Sequence, residues 1–107
     1  MKEQEKQIKQ IILETLSNLT VSVSKIILFG SRARKDNKEE SDWDLLIIID
    51  GKETREEKKE IAHLIRKSLA QEDILSDVII KTKEEINLLK NKKYSITRSA
   101  LEEGITI

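Results

Sequence analysis

The elements legible in this sequence fall in the order α-β-β-α-β-α-α, which predicts an α/β or α+β fold, a short sheet covered by helices. Three observations carry that prediction. Apolar runs at residues 25–29, 44–49 and 77–80 are short, rich in β-branched side chains and bounded by polar breakers, as strands are. Around them, apolar residues recur at three- and four-residue spacing among Lys, Glu and Gln, as on amphipathic helices. Two capping-box signatures, Thr54 with Glu57 and Thr82 with Glu85, place helix starts directly after the second and third runs.

Taken in order, residues 2–19 carry Ile8, Ile11, Ile12, Thr15, Leu16 and Leu19 on one stripe, which predicts a first helix. Residues 20–24 break it. The strand at 25–29 ends in Gly30-Ser31, a turn that opens a short helix or loop, and the strand at 44–49 follows after a charged segment. Asp50-Gly51 supplies the next turn. A helix over 55–70 then buries Ile61, Leu64, Ile65 and Leu69. After the strand at 77–80, a further helix carries Ile86, Leu88 and Leu89. The segment 94–103, with Ile96, Ala100 and Leu101, predicts a last helix that stops at Gly104, and 105–107 form a short extended tail. With no proline, repeat or low-complexity linker, residues 1–107 are expected to form one domain.

Composition narrows the function. Twenty basic and twenty acidic residues give a formal charge of zero, so no global field draws the chain onto nucleic acid or an anionic membrane. Aromatics are 3% of the chain, which argues against base-stacking platforms. Cysteine is absent, which removes disulfides and thiolate ligands and suits a reducing cytoplasm. No apolar run approaches the ~20 residues needed to span a bilayer, and the first ten residues have no apolar signal core, so a soluble, cytoplasmic protein is expected.

Candidate chemistry sits at the strand ends. Asp42 and Asp44 are two apart at the start of a strand, so their side chains share one face while Trp43 takes the other. Paired carboxylates repel each other and invite a divalent cation; oxygen-only ligation favours Mg²⁺ or Mn²⁺, which completes its shell with waters and phosphates. An isolated D-x-D is more often an ordinary polar strand start. Gly30-Ser31, placed directly after a strand, lets backbone N–H groups approach a phosphate and adds a hydroxyl donor; alone, it reads as a turn. The spacing of a Walker P-loop is absent. Asp77, at the start of the third strand, joins Asp42 and Asp44 if the second and third strands are neighbours. It would then be a metal ligand or the base that takes a proton from an attacking hydroxyl.

The combination of strand, Gly30-Ser31, the ten residues 32–41, Asp42-Trp43-Asp44, strand, helix and Asp77 resembles the minimal nucleotidyltransferase (MNT) domains of the DNA polymerase β-like nucleotidyltransferase superfamily. The ending Ala100-Leu101-Glu102-Glu103-Gly104-Ile105 is similar to the family's last helix and tail, so the likeness spans nearly the whole chain. The resemblance implies a short mixed sheet with helices mainly on one face, and transfer of a nucleoside monophosphate from a triphosphate to a hydroxyl. It also assigns residues. Gly30 and Ser31 contact the triphosphate, Asp42 and Asp44 hold Mg²⁺, and Asp77 binds metal or acts as base. Arg32 and Arg34 match the family's G-S-R-A-R, and Arg34 could pair with a phosphate or an acidic partner surface. Where members often continue with glycine, this chain has Lys35.

Nucleotidyltransferases of ordinary size add a helical domain that binds the acceptor, and 107 residues leave no room for one. Small proteins resembling this chain, the MntA-like antitoxins of HEPN/MNT toxin–antitoxin pairs, transfer AMP from ATP to a tyrosine of a helical HEPN toxin. That is the function the resemblance implies. Two alternatives stand beside it: a binding module that neutralises its partner by contact alone, and a small-molecule nucleotidyltransferase of the aminoglycoside-modifying kind. Elsewhere, His63 reads as an exposed or half-buried helix residue, the lysine-rich stretch 81–93 as a solvated face or a partner surface, and Tyr94 as a residue packed at a helix start rather than a self-modification site.

Overall fold

The computed structural model describes residues 2–89 and 95–107. Their element order is α1 (Glu3–Asn18), β1 (Val23–Phe29), α2 (Gly30–Arg34), β2 (Trp43–Ile49), α3 (Arg55–Ala70), β3 (Ser76–Thr82), α4 (Lys83–Leu89), α5 (Ile96–Glu103) and β4 (Ile105–Thr106). The strands form one mixed sheet in the order β3-β2-β1-β4. β2 runs antiparallel to β1 and parallel to β3, and β1 runs antiparallel to β4. The expected fold class stands.

β2 is the centre of the molecule because both of its faces are apolar. Leu45, Ile47 and Ile49 point into the larger core, where they meet Ile8, Ile12 and Leu16 of α1 and Ile61, Ile65 and Leu69 of α3. Leu46 and Ile48 point the other way, into a smaller cluster with Ile27 and Ala100, against which Ile86 and Leu101 are half-buried. A strand covered on both sides reads as a continuous apolar run, which is how the sequence presents it. The two long helices cover one face and the short α4 and α5 the other.

Both capping boxes are formed. Thr54 Oγ1 accepts from Glu57 N–H (3.1 Å) while Glu57 Oε1 accepts from Thr54 N–H (2.9 Å), and Thr82 with Glu85 repeats the exchange (3.2 and 3.0 Å). Each exchange satisfies two amide donors that a helix start otherwise leaves bare. Several bounds differ from the sequence-based expectation. β1 reaches back to Val23 through a register irregularity between Val23 and Lys25, and β3 extends over the polar Ser76, Lys81 and Thr82 because each has a partner on β2. In α3 it is Ala62, not Leu64, that joins the buried set, Leu64 being only half-buried. Leu19 lies past the end of α1 and is exposed. The tail at 105–107 pairs with β1, where Ile107 N–H donates to Ile26 C=O (2.9 Å). Tyr94 and the lysines at 90, 92 and 93 lie outside the described residues; α5 begins at Ile96, with Ser95 capping it by accepting from Arg98 N–H (2.9 Å). His63 is exposed on α3, as expected.

Candidate active site

Three chain segments meet at one end of the sheet. Phe29, the last residue of β1, is the register partner of Asp44 on β2, and Asp44 is the register partner of Asp77 on β3. The parallel pairing of β2 with β3 therefore sets two carboxylates side by side on neighbouring strands. Gly30 follows Phe29 with φ +73°, a left-handed conformation that suits glycine. A Cβ at Gly30 would also run into the Asp44 carboxylate, so the bare backbone is what gives that side chain its place.

Around this pair is an open cavity of about 360 Å³. Gly30, Arg34, Asp44 and Asp77 line it on the sheet side. α5 supplies the opposite wall through Ser95, Ile96, Ser99 and Glu103, which recur on one helical face. Of the residues the sequence singled out, Ser31 and Asp42 are not in this lining. Ser31 sits in the first turn of α2, where its carbonyl accepts from Asp36 N–H (3.1 Å). Asp42 immediately precedes β2 and acts on the site through its charge.

That charge is felt at Asp44. Burial is the main cause that pushes the Asp44 carboxyl above its ordinary range, the negative charges of Asp77 and then Asp42 add to it, and Arg34 opposes it. A cation among these oxygens would relieve that repulsion, so the donor chemistry fits a hard divalent ion. Among the described residues no three acidic or imidazole groups are gathered tightly enough to hold an ion unaided. A cation at Asp42, Asp44 and Asp77 would thus share its shell with water and with the oxygens of a phosphate ligand.

A device that the motif alone did not reveal holds Asp42 and Asp44 in place. Arg32 on α2 lies over the Trp43 ring, its guanidinium carbon 4.5 Å from the centroid. The same group donates to the carbonyls of Ser41 (2.8 and 3.2 Å) and Glu39 (2.9 Å). One planar cation thereby ties the 35–42 segment to the residue between the two aspartates. Lys35 ends α2 at φ 63°, ψ 26°, the left-handed position that helix ends commonly give to glycine, which accounts for the glycine in the resembling family. Arg34 is half exposed and pairs with Asp36 (3.2 Å) beside the cavity.

The serines and glutamate lining the cavity from α5 and its cap do not belong to the apolar pattern that marks the helix; their spacing at 95, 99 and 103 is the signal the sequence offers for them. Ile96, grouped there with the apolar residues of the helix, is 65% exposed at the cavity mouth.

A mixed sheet with a glycine turn and paired strand-end carboxylates is the arrangement that the resemblance to nucleotidyltransferases implies. Comparison with known proteins agrees. The profile of the family described as "Nucleotidyltransferase domain" matches residues 5–105, and the chain belongs to that family. Two proteins of Methanocaldococcus jannaschii, each named "Putative protein adenylyltransferase", are similar to it. One is 36% identical over 101 residues, covering 94% of both chains. The other is 37% identical over 73 residues, covering 68% of this chain and 74% of the relative. Two solved structures share the fold. One, described as a toxin–antitoxin with AMP-PNP, aligns with TM-score 0.58 at 20% identity, over 91% of this chain and 69% of that one. The other, described as a mutant of the toxin–antitoxin MntA-HpeT, aligns with TM-score 0.54 at 19% identity, over 92% and 69%.

Proposed function

We propose that this protein transfers AMP from ATP to a hydroxyl of a partner protein, a tyrosine of a HEPN-type toxin, and so acts as an antitoxin in the cytoplasm. The observation that carries the reading is the Asp44–Asp77 register pair beside Gly30 at one cavity. It is supported by the family, by the names of the two archaeal relatives and by fold neighbours described as toxin–antitoxin structures, one with an ATP analogue. Among the described residues no helix is long and apolar enough to cross a membrane.

In this reading Gly30 lets the triphosphate approach the backbone, and the Ser31 hydroxyl and Arg34 guanidinium bind its oxygens. Asp42, Asp44 and Asp77 would hold Mg²⁺ or Mn²⁺, which would supply charge stabilisation at the phosphoryl group and the leaving pyrophosphate. The acceptor hydroxyl oxygen bonds to the α-phosphorus as the bond from that phosphorus to the pyrophosphate oxygen breaks. The electron pair of the broken bond leaves on pyrophosphate, and the hydroxyl proton passes to the Asp77 carboxylate. α5 forms the far wall of the cavity through Ser95, Ile96, Ser99 and Glu103.

The test is incubation with Mg²⁺, ATP and the partner, followed by intact mass of both chains. The proposal requires one or more AMP masses on the partner, lost in folded Asp42→Ala and Asp44→Ala protein. A tight complex with no mass gain, still formed by both variants, would replace it with neutralisation by contact alone.

A further inference from the structure

On the face of β3 opposite Asp77, a groove of about 380 Å³ runs between that strand and α3. Arg55, Lys58, Lys59 and Arg66 fall along one stripe of α3, and Lys81 closes the groove from β3. Its floor is apolar, made by Ala62, Val78 and Ile80, with the small Ala62 leaving the gap between helix and strand open. Lys58 and Lys81 share Glu85, at 2.6 and 3.9 Å. Arg55, Lys59 and Arg66 make no ion pair with any described residue. In a chain whose formal charge is zero, this is a local concentration of positive field.

The strand beneath it is also unfinished. β3 is the outermost strand on its side of the sheet, so its outer backbone groups have no strand partner among the described residues. We propose that the groove binds an extended acidic segment of a partner protein, added to β3 as a further strand with its carboxylates against the α3 cations. Alternation along such a segment would send its acidic side chains to the α3 side, against Arg55, Lys59 and Arg66, and its apolar ones to the opposite face of the sheet. Single-stranded nucleic acid fits less well, because the floor is aliphatic and offers no ring on which bases could stack. A second copy of this chain fits less well too, since edge-to-edge pairing of β3 would bring two cationic stripes together. The groove lies on the other sheet face from the carboxylate cavity, and the inference does not depend on the proposed reaction.

Fluorescence anisotropy tests it with three labelled probes: a peptide alternating Glu and Val, its Lys and Val counterpart, and oligouridine. The Glu–Val peptide is expected to bind, more weakly as salt rises. Lys59→Glu with Arg66→Glu, both exposed positions, is expected to weaken it by about tenfold or more while circular dichroism stays unchanged. Arg55→Gln with Lys59→Gln gives a smaller loss. The same peptide N-methylated at alternate residues is expected not to bind. Absence of peptide binding, undiminished binding to the double Glu variant or by the methylated peptide, or preference for oligouridine would each overturn the proposal.

Discussion

Replacing Gly30 by alanine acts on stability and on chemistry through two separate features. The residue sits at φ +73°, and an L side chain there costs roughly 1–2 kcal/mol. The added methyl group would also overlap the Asp44 carboxylate and approach its Cγ to 3.0 Å. Because the obstacle is the end of a side chain, Asp44 rotates away and the backbone holds. That movement separates Asp44 from Asp77 and Asp42 and recovers part of the cost, since their charges repel it. At ~2.1 cal/mol/K of unfolding entropy per residue, the loss corresponds to a fall in Tm of about 4–9 °C, with the lower end expected. The proposed transfer is expected to suffer more, because displacing a group at the reacting centre by about 1 Å commonly costs on the order of 100-fold. Thermal melts and a quantitative AMP-transfer assay read the two effects separately. Gly51→Ala is the control: its φ is not left-handed, its Cβ would meet only the end of the Glu53 side chain, and a change within about 0.5 kcal/mol is expected. Unchanged Tm and full transfer in Gly30→Ala would refute the reasoning.

Other substitutions probe the remaining supports. Arg32→Gln removes the stacking on Trp43 and the bonds to Ser41 and Glu39; a loss of roughly 1–2 kcal/mol in urea unfolding is expected, together with slower transfer. Arg32→Lys keeps the charge but lacks the planar fork, so it should restore little of either. Lys35→Gly relieves a left-handed lysine and should add roughly 1 kcal/mol without changing transfer. For Asp44, a folded pKa above 3.8 means that its stabilising contribution is complete below 3.8 and lost as pH rises through the folded value. Asp44→Asn should therefore raise Tm at neutral pH in cation-free buffer while abolishing transfer. Glu85 has the opposite sign: burial alone would raise its carboxyl, but the bonds from Lys58 and Thr82 and the charges of Lys58 and Lys81 together hold it below 4.5. Its contribution is present above 4.5 and lost as pH falls through the lower folded value. Glu85→Gln should cost roughly 1–2 kcal/mol at neutral pH and flatten the acid limb of the stability profile.

What the sequence made legible was local. The capping boxes at Thr54 and Thr82 are complete within four residues, and each formed as the spacing foretold. The apolar run of β2 needed no partner to be recognised as a strand. The D-x-D alternation likewise set Trp43 in the larger core while Asp44 took the cavity side. What stayed hidden depended on partners distant in sequence. β3 is longer than its apolar run because β2 supplies a ladder for Ser76, Lys81 and Thr82. Ala62 is buried ahead of Leu64 because β3 passes beneath that part of α3. The contacts of Arg32 to residues 39, 41 and 43 close a loop whose course no periodicity describes, and the α5 wall becomes part of the cavity only once the sheet brings Asp44 and Asp77 opposite it.

Trp43 is the only tryptophan in the chain and is 7% exposed. Its indole lies under a guanidinium, in the backbone between the two aspartates of the motif. Tryptophan emission therefore comes from one place, and that place is tied through Arg32 to the loop that leads into the carboxylate end of the sheet. A ligand that draws Asp42 or Asp44 toward itself changes the electric field over the ring without touching it. Under the proposed function, the single tryptophan is expected to report loading in a titration with nucleotide and cation, without any label.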